Sequence, residues 1–291
     1  MSLQYCEEIL AEADAVAANG TQRDMFEVLQ TLPFGDYCDL YLDPPARYKN
    51  LVAKMPSLPS NEVQKKWMGH FGRDMMIQSS NITRLFQVLY TQATGNTLRG
   101  RKILDYGCGW GRLLRTMYHV SDVNHVYGID PMTASLAECR KYGITENLAL
   151  CDAVPEDLPF EGTLFDLIFS FSVFTHISER SMEAVLKAAR RRIGADGVYI
   201  ITIRPIEFWN LREDAWGSDV VSKLRQDHLN TGFAFYCSGS VDERLGQDYG
   251  DSSMSFDYLR TLAAKTGWTV GSIDRDLIQP LQTMVTLRPS E

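Results

Sequence analysis

The chain lacks the marks of several large protein classes. It has no CxxC pair, and its six cysteines, at 6, 38, 108, 139, 151 and 237, follow no regular spacing, so neither a disulfide scaffold nor a zinc cluster is predicted. The pattern reads as reduced thiols in a cytoplasmic protein that holds no metal. No apolar run approaches the ~20 residues of a membrane span, since the best one, 164–175, is broken by Asp166. Glu7, Glu8, Glu12 and Asp14 stand where a signal peptide has basic residues followed by an apolar stretch. Positive charge is also short. The 29 Lys and Arg against 37 Asp and Glu give a net charge of −8, whereas proteins that track phosphate backbones need a surplus of cations. Nucleic acid and membrane are therefore not the expected partners. The remaining composition, 291 residues with 45% hydrophobic and 23% charged, is that of one or two folded domains with a proper core.

From about residue 100, short β-rich runs alternate with helical patterns, the signature of parallel strands joined by crossover helices. Strands are predicted at 101–106, 125–130, 148–152, 164–171 and 197–204, with helices at 111–119 and 132–141 between them. The run 164–171 barely alternates, as in a strand buried on both faces. Met182, Val185, Leu186, Ala189 and Ile193 mark one face of a further helix that Gly194 is expected to end. Toward the C-terminus a helix at 256–266 with Ser255 as its cap precedes strand candidates at 268–274 and 282–288. Residues 1–98 differ in texture: helical stretches near 5–18 and 74–94 flank a segment holding Pro33, Pro44, Pro45, Pro56 and Pro59. The stretch 205–254 is long for a connection and rich in aromatics, among them Phe208, Trp209, Trp216 and Tyr249. It reads either as a packing insert or as the wall of a second substrate pocket. The expected division is thus a helical cap over 1–98 and a sheet domain over 99–291, with 205–254 as its insert.

The most informative stretch is Ile103-Leu104-Asp105-Tyr106-Gly107-Cys108-Gly109-Trp110-Gly111-Arg112, a strand running into a glycine turn that opens a helix. A nicotinamide-dinucleotide fingerprint fails in both registers, because Arg112 or Leu114 stands where its third glycine is required, and no Gly-Lys-Ser/Thr ending follows for a P-loop. What fits is D-x-G-x-G-x-G. With it the sequence resembles the class I S-adenosylmethionine-dependent methyltransferases, motif by motif over roughly 100–204 and more loosely beyond. The resemblance rests on several signals at successive strand ends: Gly128-Ile129-Asp130, then Cys151-Asp152-Ala153, then the run from Phe165 to Ser172 followed by Val173-Phe174-Thr175-His176-Ile177. Taken alone, each strand-end Asp is as readily a turn former or helix cap. Three in the right order around one glycine turn are not.

The resemblance implies a Rossmann-like α/β fold with a seven-stranded sheet whose last strand is antiparallel, here carrying an N-terminal helical extension. It implies S-adenosyl-L-methionine as cofactor, with Gly107, Cys108, Gly109 and Gly111 shaping the turn under its methionine half and Asp105 approaching the amino group. Asp130 is implied at the ribose, Met132 against the adenine, Asp152 and Ala153 at the adenine edge, and Ser170 at the end of the fourth strand. Arg112 departs from the commonest pattern. A cation in the first helical turn opposes the helix dipole and calls for an anionic partner, either the cofactor's carboxylate or a nearby acid.

The implied activity is methyl transfer to a small-molecule acceptor, with a hydroxyl as the expected acceptor group. His176 is the candidate general base, set against a packing or capping role at the helix that follows. The segment holding Trp67, His70 and Arg73 either closes the site or anchors a helix, and Arg190-Arg191-Arg192 reads as a solvated helix end. The alternatives are a non-catalytic cofactor-binding module, a methyltransferase acting on RNA or protein, and an aminopropyltransferase on the same fold. Fold analogy does not choose among acceptors, and the sequence leaves the oligomeric state open.

Overall fold

The computed structural model describes residues 4–237, 239, 242–275 and 279–290. Six helices come first: α1 (Glu7–Asn19), α2 (Gln22–Leu29), α3 (Phe34–Leu42), α4 (Lys49–Lys54), α5 (Asn61–Met68) and α6 (Gly72–Thr94). The proline-bearing segment between the two expected helical stretches holds four short helices, α2 to α5, with the prolines at helix entries and in the links, where no backbone N–H is required. Then follow β1 (Ile103–Tyr106), α7 (Arg112–Val120), β2 (Val126–Asp130), α8 (Thr133–Lys141), β3 (Leu148–Leu150), β4 (Phe165–Ser170), α9 (Glu179–Arg192) and β5 (Ile193–Ile203). The remainder is α10 (Glu213–Trp216), α11 (Ser218–Thr231), β6 (Phe233–Cys237), β7 (Gly250–Met254), α12 (Phe256–Lys265), β8 (Trp268–Arg275) and β9 (Thr283–Pro289).

Seven strands form one sheet in the order β3-β2-β1-β4-β5-β9-β8. The first five are parallel, and β9, the last in sequence, runs antiparallel to both β5 and β8. The expected seven-stranded sheet with an antiparallel last strand is found. One boundary differs. Gly194 does not terminate α9 in a loop; the chain passes from Arg192 straight into β5, with a register shift opposite Phe165 and Leu167 that absorbs the glycines at 194 and 197.

The pleat divides the core. Along β5, Val198 and Ile200 point to the face covered by the N-terminal helices, packing with residues such as Phe26 and Phe86, while Tyr199, Ile201 and Ile203 point to the face covered by α9 and α12 with Leu186 and Trp268. The first 98 residues share a continuous core with the sheet. Polar ties reinforce it: Gln30 Nε2 donates to the carbonyls of Tyr118 and Ser121 at the C-terminal end of α7, and Tyr37 Oη donates to the carbonyl of Arg115 nearer its start. The 205–254 stretch forms α10, α11 and a separate β6-β7 hairpin around a small core of Phe208, Trp209, Val221, Leu224 and Ala234; its residues 238, 240 and 241 lie outside the described residues. Among the described residues no helix is long and apolar enough to cross a membrane.

The chain moves outward from β1 to β3 and returns to β4 on the other side of β1, so the order reverses between β1 and β4. Open parallel sheets leave a crevice for ligands at that point, beyond the carboxyl ends of the strands.

Candidate active site

A cavity of about 430 Å³ lies in that crevice and reaches from the end of β2 to the end of β5. Three strand spacings separate those ends, roughly 14 Å at ~4.8 Å each. One side is built by the glycine turn. Gly107, Gly109 and Gly111 have φ of 80°, 56° and 77°, so the chain reverses within five residues. The N–H groups of Gly107 and Cys108 donate to the carbonyl of Ile129, 2.8 and 3.0 Å away, which locks the turn to β2. A Cβ on Gly107 would fall 2.5 Å from Val173 Cγ2, and one on Gly109 would point toward the indole of Trp67, 4.0 Å away. Gly111 faces elsewhere: its Cβ would strike Ile144 at 2.6 Å and Cys139 at 3.1 Å behind the turn. Cys108 borders the cavity, and a hydrogen bond with Cys139 together with burial pushes its thiol well above the ordinary range.

Asp130 ends β2 with only 3% of its surface exposed. Its Oδ2 accepts from Gly109 N at 2.9 Å and its Oδ1 from Met132 N at 2.8 Å, leaving each oxygen with further lone pairs. Burial raises its pKa to about 6, although those two N–H groups pull it down. Asp105 is equally buried and is pushed well above the carboxylate range, by burial first and by the neighbouring Asp130, with Arg112 opposing. Arg112 Nη1 donates to Gln78 Oε1 and Ser79 Oγ, both at 3.1 Å, and its guanidinium lies 5.4 Å from the Phe171 ring centre. Burial lowers its pKa to about 10 while Asp105 holds it up.

Asp105, Gly107, Cys108, Gly109, Arg112, Asp130, Met132, Ala153 and His176 all border the cavity. Three residues expected with them do not. Gly111 packs behind the turn. Ser170 is fully buried, sharing a 2.8 Å hydrogen bond with Tyr199 Oη on the face covered by α9 and α12. The Asp152 side chain is 79% exposed and pairs at 3.2 Å with Arg244, in a shallow bowl outside the main cavity. The strand ends at Leu150, two residues before the expected end, so Asp152 lies on a turn that carries it outward.

The opposite side of the cavity comes from the turn after β4, the end of β5 and β7. Backbone bonds zip them together: Gly250 N donates to His176 O at 2.8 Å and Ser252 N to Thr175 O at 3.0 Å. His176 is thereby held with Nδ1 2.7 Å from Gly250 O, Nε2 2.9 Å from Arg204 Nη2, and its ring stacked on Tyr249. An arginine only donates, so Nε2 is the acceptor nitrogen and its lone pair is occupied. The base role expected of His176 is not set up by this geometry, since neither nitrogen is free for a substrate proton. Asp251 accepts from Arg204 Nη1, lies 3.3 Å from His176 Nδ1 and sits 3.4 Å from Arg212 Nη2. Burial alone would raise Asp251, but the His176 bond and the Arg204 charge outweigh it and hold the carboxyl below its ordinary value. Arg204 is pulled down by its own burial, with Asp251 opposing.

In sequence Arg204 is only the end of a strand, and nothing local marks Asp251, Arg212, Gln279 or Gln282 as site residues. A cation directly after the apolar strand 198–203 was the one signal present. Trp67 was singled out as either a lid or an anchor; its side of α5 borders the cavity beside Met68, with the residue 39% exposed. Arg73 instead pairs with Asp39, and the arginines ending α9 bond to Gly267 O or pair with Asp157.

Residues 103–197 match a family described as a methyltransferase domain. A sarcosine/dimethylglycine N-methyltransferase of Aphanothece halophytica is 26% identical over 157 residues, 52% of this chain and 53% of the relative. A ubiquinone biosynthesis O-methyltransferase of Haemophilus ducreyi is 28% identical over 120 residues, 39% of this chain and 49% of the relative. The chain spans about half the length of these relatives. Among solved structures, DesVI of Streptomyces venezuelae aligns with a TM-score of 0.50 at 13% identity, covering 80% of this chain and 100% of that one, a likeness of fold.

Proposed function

We propose that this chain, which belongs to the class I S-adenosylmethionine-dependent methyltransferases, transfers a methyl group from S-adenosylmethionine to a small-molecule acceptor. The observation that carries the reading is the pairing of Asp130 with the glycine turn. Its carboxylate is oriented by two backbone N–H groups and retains lone pairs for two ribose hydroxyls. The cavity fits such a cofactor in size, and its β1–β2 end holds the Asp130 carboxyl beside the glycine turn. When bound, the cofactor supplies an activated methyl group. Asp105 would meet the amino group and Arg112 the carboxylate of the methionine half. Met132 and the backbone at Ala153 would flank the adenine, with Trp67 beside the Gly109 backbone and the turn excluding water from that side.

The remaining task is to align the acceptor's nucleophile in line with the methyl group. A hydroxyl acceptor needs a proton acceptor, and the imidazole nearest that task has both nitrogens engaged. The geometry favours a nucleophile that arrives with its lone pair free, as an unprotonated amine or an already ionised oxygen does. Relatives named for nitrogen and for oxygen methylation support a small acceptor of either kind.

Calorimetric titration with S-adenosylhomocysteine tests the cofactor half, with one site per chain expected. Formation of S-adenosylhomocysteine from S-adenosylmethionine in the presence of fractionated metabolite extracts tests the transfer. Failure to bind the cofactor overturns the reading, and binding without transfer to any fraction turns it into a non-catalytic cofactor-binding module.

A further inference from the structure

The walls of the cavity beyond the expected methyl group are unevenly charged and incompletely bonded. Arg204 is engaged at both terminal nitrogens: Nη1 donates to Thr175 O at 2.9 Å and to Asp251, and Nη2 to His176. Asp251 is buried and held in its charged form, and it neutralises one of the two arginines. Arg212 differs. It sits on the helical turn 206–212, its guanidinium lies over the rings of Phe208 and Trp216 at 4.9 and 5.4 Å, and its polar contact is the 3.4 Å approach of Nη2 to Asp251. Its Nε is buried and has no hydrogen-bond partner. Two glutamines reach the same cavity from the segment before β9, and each leaves an atom unpaired there: Gln279 Nε2, and Gln282 Oε1, whose Nε2 is fixed by donation to Ser172 Oγ at 2.9 Å.

A buried polar atom without a partner costs on the order of 1–3 kcal/mol. Three such atoms belong to residues that line one cavity, and two of them are donors. Arg204 and Arg212 share the Asp251 carboxylate, and Asp248, which also lines the cavity, is paired with Arg180, so this side keeps an excess of positive charge. Aromatic rings stacked beneath a guanidinium hold its plane fixed, which suits a two-pronged contact to a planar or tetrahedral oxyanion.

We propose that the acceptor molecule carries a carboxylate or phosphate group and that Arg212 with Gln279 binds it, while Gln282 Oε1 accepts from a hydroxyl or N–H of the same molecule. This inference rests on the methyltransferase reading, because it assigns the cavity's β1–β2 end to the cofactor and its β5 end to the acceptor. The cation then serves specificity, since a neutral analogue leaves Arg212 unpaired.

The full chain, free and loaded with S-adenosylhomocysteine, is titrated by calorimetry with benzoate, phenyl phosphate and neutral benzyl alcohol. At least one anion is expected to bind at least about tenfold more tightly than the alcohol, and the comparison of benzoate with phenyl phosphate identifies the group. Arg212→Gln is expected to weaken that anion at least about tenfold and Arg212→Lys to weaken it less, with the affinity for S-adenosylhomocysteine within about twofold of wild type in both. The side chain is 36% exposed, so the fold tolerates these changes, and Gln279→Leu provides a second variant with the same expected direction. Equal binding of anion and alcohol, or anion binding unaffected by Arg212→Gln, overturns the inference. Loss of S-adenosylhomocysteine in Arg212→Gln overturns it too, by assigning the arginine to the cofactor. Anion binding in a protein that does not bind S-adenosylhomocysteine overturns the methyltransferase reading and leaves an anion site.

Discussion

Arg204 donates from Nη2 to Nε2 of His176 across 2.9 Å, so the imidazole is held by the arginine on one edge and by the carbonyl of Gly250 on the other. The ring therefore positions Arg204 and the β7 backbone. His176→Gln, whose amide offers one acceptor and one donor, is expected to keep stability within about 1 kcal/mol of wild type and methyl transfer within about tenfold. His176→Ala strands the Arg204 donor and is expected to lose about 1–3 kcal/mol in urea denaturation. A loss of 10²-fold or more in His176→Gln, the scale of general-base removal, would restore the base role.

Burial places the Asp130 pKa at about 6, above its unfolded value, so ionisation of this group disfavours the free fold as pH rises through about 6. The ribose hydroxyls favour the ionised form. Cofactor affinity is accordingly expected to fall as pH drops below about 6, by at most tenfold per pH unit for one proton. The gap in Tm between the loaded and free protein should widen from pH 5 to pH 7. Asp130→Asn should flatten that gap, and an unchanged gap in the variant would remove Asp130 from the ribose contact.

The glycines at 109 and 111 separate binding from folding. Gly109→Ala puts a methyl in ordinary contact with the Trp67 indole at 4.0 Å, so it is expected to cost only about 1–2 kcal/mol of backbone strain while weakening S-adenosylhomocysteine at least tenfold. Gly111→Ala drives a methyl into Ile144 and Cys139 and is expected to lose more than 2 kcal/mol of stability. Thermal denaturation beside calorimetry distinguishes the two, and equal behaviour of the variants would contradict the assignment.

Arg112 is buried, borders the cavity and has one nitrogen held by Gln78 and Ser79. Arg112→Ala is expected to weaken S-adenosylhomocysteine about tenfold or more and to leave 5′-methylthioadenosine, which lacks the carboxylate, within twofold. Equal losses for both ligands would make the arginine a scaffold residue.

Much of the fold was legible because its signals are local. The apolar runs at β1, β4 and β5, the Ser255 cap of α12, whose hydroxyl accepts from Tyr258 N, and the glycine turn each depend on a few neighbouring residues. The same holds for Asp130, whose carboxylate bonds within two residues and to the turn that β1 must make beside it. Asp152 escaped because its environment depends on where β3 stops and on Arg244, 92 residues away. Gly111 looked equivalent to Gly107 and Gly109, yet only packing reveals which way each missing Cβ would point.

The sequence by itself determined the parallel order of alternation, the turn after β1 and the acids that end its neighbours, because strand period and turn chemistry are set by adjacent side chains. Tertiary structure alone decided the other half of the cavity. His176, Arg204, Arg212, Asp251 and Gln282 come from five separate segments, and their charges and lone pairs have meaning only at the distances the closed fold imposes. Arg204 bonds Asp251 directly while Arg212 stands 3.4 Å from it with its Nε unpaired, and no spacing along the chain distinguishes the two in that respect.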